Sequence, residues 1–273
     1  MKVFCIISDE RAFHSKSPLL FSAILNRVGI KGAYVPFKVN PENIGQAIHS
    51  LRILNLDGAN ITVPFKEAVI PHLDILSEGA RIIGAVNTIV RKGDLLKGYN
   101  TNAIGFMDAL SMAGFNVEGK SAVVFGTGGA AKAVVFVLNW LRAASIIVVG
   151  RNEEETKRVA ANSGGEAKSL NALAALPLSA NLIVNATSVS SHDESPELAD
   201  WVGRLIIPRC ELLMDLNYGR PQNFWQKFAE KNGIPFMDGL PALAHQARRS
   251  FALWTGLQVP PEEFLKVLKS EVI

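Results

Sequence analysis

Lys66 closes the segment Asn60-Ile61-Thr62-Val63-Pro64-Phe65-Lys66, where an amide, a hydroxyl and an amine interrupt otherwise apolar text. Three more polar clusters punctuate the same part of the chain: His14-Ser15-Lys16-Ser17-Pro18, Ala85-Val86-Asn87-Thr88 and Asn100-Thr101-Asn102. Amides and hydroxyls both donate and accept hydrogen bonds, and an amine moves protons once its pKa is tuned toward the working pH. Taken together, such groups suit a small polyhydroxylated ligand better than a core. Each cluster alone has a plainer reading. Ser17 could be an N-cap ahead of Pro18 at the first helical position, Lys66 a surface cation and Asn87 a turn residue.

A second centre is the run Gly126-Thr127-Gly128-Gly129-Ala130-Ala131, which follows the apolar stretch Ser121 to Phe125 and leads into a helical pattern. Strand, bare turn and helix start together form an anion cradle. The glycines let a pyrophosphate approach the backbone, and the free N–H groups and dipole of the helix attract it. The alternative is a tight turn that binds nothing. The next apolar stretch ends at Gly150-Arg151-Asn152, where an NAD-binding domain usually carries an acid for the ribose hydroxyls. Arg151 offers instead a planar cation for a 2′-phosphate, so NADP is expected over NAD. Glu153, Glu154 and Glu155 just beyond it oppose a phosphate, and a solvated arginine is the plain alternative.

Positioning these groups takes alternating strands and helices. Apolar runs at Val3 to Ile7, Tyr34 to Phe37 and Gly58 to Val63 alternate with amphipathic stretches at Pro18 to Val28 and Pro41 to Leu54. That spacing predicts parallel α/β structure, in which ligands gather where strands end and helices begin. A second series has strands at 121–125, 146–149, 182–184, 212–214 and 234–236, with a helix at 130–141. These strands are short and apolar, as buried parallel strands are. No Pro/Gly/Ser-rich linker separates the two series, so the boundaries are sought in helices, at Thr101 to Ala113 and Leu240 to Trp254. The expected fold class is α/β with two domains. Residues 1–100 and 240–273 form an N-terminal, parallel-type substrate domain, and 101–239 a Rossmann-type dinucleotide-binding domain.

With 273 residues, 48% apolar and 19% charged, the chain can bury two cores and is too apolar for disorder. Its net charge of +3 is interleaved with acids along the chain, which argues against nucleic acid. Cys5 and Cys210 stand at no metal or redox spacing, so no metal is expected. The start MKVFCIISDE lacks a signal-peptide pattern, and the most apolar stretch, Ala133 to Leu141, is too short to cross a bilayer. A cytoplasmic protein independent of the membrane is the expectation.

The motifs, in their order, resemble the shikimate dehydrogenase family over nearly the whole chain. They are HSKSP at 14–18, NITVPFK at 60–66, GAVNT at 84–88, the glycine loop at 126–131, VNATS at 184–188 and GLPALAHQA at 239–247. The resemblance implies NADP-dependent, reversible reduction of 3-dehydroshikimate to shikimate by hydride transfer. By the same resemblance Ser15 and Ser17 hold the substrate carboxylate, Thr62, Asn87 and Gln246 bind its hydroxyls, and Tyr218 lines the pocket. Lys66 matches the catalytic lysine. Gly126, Thr127, Gly128, Gly129, Ala130, Ala131, Arg151 and Gly239 match the cofactor site.

The family's Asn-Thr-Asp-Gly reads Asn100-Thr101-Asn102-Ala103 here, so Asn102 stands at the catalytic aspartate position. It keeps the shape and gives up a charge and a proton acceptor. Ser8-Asp9-Glu10 replaces the usual Gly-x-Pro, Gly150-Arg151-Asn152 replaces Asn-Arg-Thr, and Glu155 falls where a basic residue is often found. Three readings compete: a shikimate dehydrogenase that works with Asn102, a paralogue acting on quinate or another cyclic hydroxy acid, and a non-catalytic protein that binds nucleotide or metabolite. A folate-type methylene dehydrogenase pairs a lysine with similar architecture but has no need of Ser15 and Ser17. The expected ligand is a small cyclic hydroxy acid, and the expected assembly a monomer or homodimer.

Overall fold

The apolar runs form strands and the amphipathic stretches helices in a computed structural model that describes residues 1–161, 164–170 and 177–270. The expected domains also include 162–163, 171–176 and 271–273, which lie outside the described residues. The chain divides into two units, Met1–Gly105 with Leu243–Ile273, and Phe106–Ala242.

In the first unit the order is β1 (Lys2–Ser8), α1 (Ser17–Arg27), β2 (Gly32–Lys38), α2 (Ile44–Ile53), β3 (Gly58–Ile61), β4 (Ile75–Leu76), α3 (Glu78–Ile83), β5 (Thr88–Lys92) and β6 (Leu95–Tyr99). Helix α4 (Thr101–Met112) then carries the chain into the second unit. The six strands lie in the order β2-β1-β3-β5-β6-β4. β1 pairs parallel with β2 and β3, whereas β5 runs antiparallel to both β3 and β6. The sheet is therefore mixed, which corrects the parallel expectation. The cause is the two-residue turn Gly93-Asp94, with Gly93 at φ +61°, which returns the chain at once and leaves no room for a crossover helix.

Helix α1 buries Leu20, Phe21, Ile24 and Leu25, one face at helical spacing. Phe21 stacks on Tyr34 with ring centroids 4.7 Å apart, and Phe4 on Trp254 at 4.8 Å. The Trp254 indole donates to the Ile89 carbonyl at 2.9 Å. A Cβ on Gly58 would lie 2.2 Å from that indole nitrogen, so glycine at the start of β3 is what lets this tryptophan reach the sheet.

The second unit runs β7 (Ser121–Phe125), α5 (Gly129–Trp140), β8 (Ser145–Val149), α6 (Glu153–Ala161), β9 (Glu166–Lys168), β10 (Leu182–Asn185), α7 (Pro196–Val202), β11 (Leu212–Asp215), α8 (Phe224–Lys231) and β12 (Phe236–Met237). All its pairings are parallel, in the order β12-β11-β10-β7-β8-β9. This is the doubly wound order, and its direction reverses between β7 and β10, where open α/β sheets bind ligands. Phe125, Trp201 and Trp225 are buried at its core, with Phe125 and Trp225 rings 4.9 Å apart. β9 has no counterpart in the sequence expectation, and the last strand begins two residues later than expected. Helices α9 (Leu240–Thr255) and α10 (Pro261–Lys269) end the described chain, and α9 begins in the second unit and finishes in the first. Among the described residues no helix is long and apolar enough to cross a membrane.

Candidate active site

Asn87, buried between α3 and β5, organises the polar side chains of the first unit. Its orientation follows from donors and acceptors. The Thr101 backbone N–H can only donate, and it reaches Asn87 Oδ1 at 2.6 Å. Asn87 therefore turns its Nδ2 to Asn102 Oδ1 at 2.8 Å, Gln246 Oε1 at 2.7 Å and Thr101 Oγ1 at 2.9 Å. Asn102 and Gln246 each spend an oxygen on this contact and keep their NH₂ groups for another partner. Position 102 thus offers a ligand a donor where a carboxylate would offer a second acceptor. Asn100 fixes the start of α4 beneath them, accepting from the Ala103 N–H at 3.2 Å and donating to the Ala85 carbonyl at 3.0 Å.

Lys66 is tied to the same cluster through its backbone, since its carbonyl accepts from the Val86 N–H at 2.7 Å. The segment before it turns sharply after β3: Ser8 Oγ donates to the Val63 carbonyl at 2.6 Å, and the Val63–Pro64 bond is cis. Thr62 lies half-buried in this turn, its N–H bonded to the Ile7 carbonyl at 3.2 Å. Burial draws the Lys66 ammonium down from its ordinary 10.5 to about 8, because the charged form loses solvation. At pH 7 about one amine in ten is then neutral, roughly 300-fold more than for an unperturbed lysine.

Ser17 is the first residue of α1 and Pro18 the second; the N-cap is Lys16, with no side-chain cap hydrogen bond. This corrects the reading of Ser17 as N-cap. Ser15 does the local work, its Oγ accepting from the Ser17 N–H at 3.1 Å. The Ser17 hydroxyl is thus not consumed by capping its own helix.

In the second unit Gly126 has φ +115°, and a Cβ there would lie 2.9 Å from the Ala186 carbonyl oxygen. Glycine is required on both counts. Gly128 is the N-cap of α5, has no side-chain cap bond, and opens on free space. The first N–H groups of a twelve-residue helix are available there to an anion, which fits the phosphates of a dinucleotide. Arg151 is exposed just after Gly150, whose Cβ would lie 2.6 Å from Thr127 Cγ2, so the two loops pack directly together. Gly239 has a packing reason of its own, since a Cβ there would lie 2.2 Å from the Leu216 carbonyl oxygen.

Tyr218 belongs to the second unit, unlike Ser15, Ser17, Thr62, Lys66, Asn87, Asn102 and Gln246. Two sets of residues escaped the sequence reading. Ser250, one helical turn beyond Gln246, lies 2.8 Å from Thr88 Oγ1 and 3.1 Å from Thr101 Oγ1, and Tyr34 donates to Asn60 at 2.7 Å. Only the i+4 spacing from Gln246 signals Ser250. In the second unit, buried Asp215 accepts from Asn185, Asn217 and Asn223 at 2.8, 2.9 and 2.6 Å, holding together the loops after β10 and β11. Burial pushes its carboxyl up. An acid ending an apolar strand was the available signal.

Fold and site define a two-domain α/β protein in which a Rossmann-type sheet shares the chain with an amide-lined polar cluster and a lysine whose pKa burial lowers. Residues 9–89 match the shikimate dehydrogenase substrate binding domain, 109–218 the shikimate / quinate 5-dehydrogenases and 239–269 the shikimate 5′-dehydrogenase C-terminal domain. A shikimate dehydrogenase (NADP(+)) of Desulforamulus reducens is 37% identical, over 95% of this chain and 92% of its own. The chain belongs to the shikimate dehydrogenase family. The solved structure of the Aquifex aeolicus shikimate dehydrogenase is 32% identical and matches with a TM-score of 0.88 over 98% of both chains. The Thermus thermophilus shikimate 5-dehydrogenase, solved in complex with NADP(H) and shikimate, is 32% identical with a TM-score of 0.86 over 99% of both chains.

Proposed function

We propose that this protein is an NADP-dependent oxidoreductase that interconverts shikimate and 3-dehydroshikimate by hydride transfer. The observation that carries the reading is Lys66, an amine brought to about 8 by burial and tied through Val86 to the Asn87 amide cluster. On this reading the first unit binds substrate and the second binds cofactor. NADP, when bound, accepts or supplies the hydride. The neutral Lys66 amine takes the hydroxyl proton during oxidation, and the ammonium returns it to the carbonyl oxygen during reduction. Thr62, Asn87 and Gln246 bind the ring hydroxyls, and Gly126 to Ala131 receive the pyrophosphate. The protein acts in the cytoplasm as a monomer or homodimer. Shikimate deuterated at the reacting carbinol carbon should deliver deuterium to the nicotinamide ring. Reduced cofactor without label, or none formed, would overturn the reading.

Asn102 also favours a second reading, a paralogue acting on another cyclic hydroxy acid. With its oxygen held by Asn87, it presents N–H donors to a ligand where a carboxylate would present an acceptor, which suits a ring whose substituent there accepts a hydrogen bond.

Two expectations test the binding roles. Ser15→Ala with Ser17→Ala should raise KM for shikimate at least about tenfold, since bonds to a carboxylate are charge-assisted. Loss of the Ser15 bond to the start of α1 should cost no more than about 1 kcal/mol, so Tm should move little. A falling Tm at constant KM would make the pair purely structural. Arg151→Ala should weaken NADP about tenfold or more and leave NAD nearly unchanged, measured by calorimetric titration. Equal losses for both dinucleotides would assign the arginine another task.

A further inference from the structure

Glu155 falls where the dinucleotide reading needs positive charge, and it is not an isolated acid. Lys132, in the first turn of α5, places Nζ 3.4 Å from Glu155 Oε1, and Arg158 places Nη2 2.5 Å from Glu155 Oε2. The Lys132 side chain is only 12% exposed and that of Glu155 26%, so solvent screens this pair less than an ordinary surface pair. Its place in the fold is specific. Lys132 is the fourth residue of the helix that the glycine loop opens, and Glu155 the third residue of the helix that Arg151 precedes. Asn152 Oδ1 accepts from the Glu155 N–H at 3.0 Å and fixes that turn. Gly150 seats the Arg151 loop against Thr127. One carboxylate on the first turn of α6 thus engages Lys132 on the first turn of α5 and Arg158 on the last turn of its own helix.

Resting on that dinucleotide site, we infer that Glu155 sets the preference between NADP and NAD by holding Lys132 and Arg158 away from a 2′-phosphate. A phosphate arriving at Arg151 meets two cations drawn onto one carboxylate, a triad with a net charge of +1 where the cations alone would carry +2. A free 2′-hydroxyl carries no charge and is indifferent to both. Glu155 therefore narrows the advantage that Arg151 gives to NADP, and Lys132 is a latent phosphate ligand.

The test is calorimetric titration of the full chain with NADP and with NAD, for the native protein, Glu155→Gln and Lys132→Met. Glu155→Gln should tighten NADP about three- to tenfold at low salt, with NAD changed less than about twofold and the NADP gain shrinking as salt rises. Lys132→Met should weaken NADP and spare NAD, because Glu155 then faces the phosphate with one cation fewer. Unchanged NADP affinity in Glu155→Gln, or equal shifts for both dinucleotides, would reduce the triad to a structural link between α5 and α6. Native protein that binds neither dinucleotide would overturn the site itself and this inference with it.

Discussion

Lys66→Ala should lower kcat for shikimate oxidation by about 10²- to 10⁴-fold while leaving the affinity for NADP unchanged. The magnitude follows from what the amine does. Hydride cannot leave the carbinol carbon unless the hydroxyl proton has somewhere to go, and burial makes Lys66 a usable base near neutrality. Lys66→Arg should fail as badly, because a guanidinium keeps the charge and does not deprotonate. The native pH profile carries the same signature. With its pKa lowered to about 8, Lys66 is mainly protonated below that value and neutral above it. Oxidation should therefore rise with pH through about 8, and reduction, which needs the ammonium, should fall through the same range. Turnover that persists within about tenfold in both variants would remove Lys66 from the proton path.

Asn102→Asp should raise kcat on shikimate by about tenfold or more. The substitution fits what is already built. Asn87 Nδ2 donates to the side-chain oxygen at position 102, a contact a carboxylate oxygen accepts equally well. The other oxygen would then receive the substrate hydroxyl, which the native amide nitrogen cannot do. One effect opposes the gain: a carboxylate near Lys66 would raise the lysine pKa and reduce the neutral fraction at pH 7. Positioning and proton sharing outweigh it, since general acid and base assistance is worth about 10²- to 10⁴-fold and a modest pKa rise costs less. The pH limb of oxidation should accordingly move upward in the variant. An aspartate variant no faster on shikimate, beside a native protein that turns over another ring acid well, would make Asn102 a substrate-selecting residue.

Local signals served well where the structure is local. The strand at Ser121–Phe125 and the helix that follows the glycines were legible because a buried parallel strand and a bare loop each have a short-range pattern. The mixed sheet was legible too, in Gly93-Asp94 between two β-rich runs, yet strand and helix alternation elsewhere outweighed that turn. Other features depend on tertiary placement. Asn87 taken alone also suits a turn, and its contact with Gln246 spans 159 positions that no periodicity connects. Ser250 carried no motif of its own. The lowered pKa of Lys66 comes from burial, which a lysine after Pro64-Phe65 does not announce. Glu155 read as plain opposition to a phosphate, because Lys132 and Arg158 close on it only in the folded chain.

The most direct test is the steady-state rate of nicotinamide reduction with shikimate and with quinate, each offered with NADP and with NAD. Saturable turnover of shikimate with NADP, slower turnover with NAD and little with quinate is the expected result. Tight NADP binding with no turnover of either acid would contradict it and leave a non-catalytic nucleotide-binding protein.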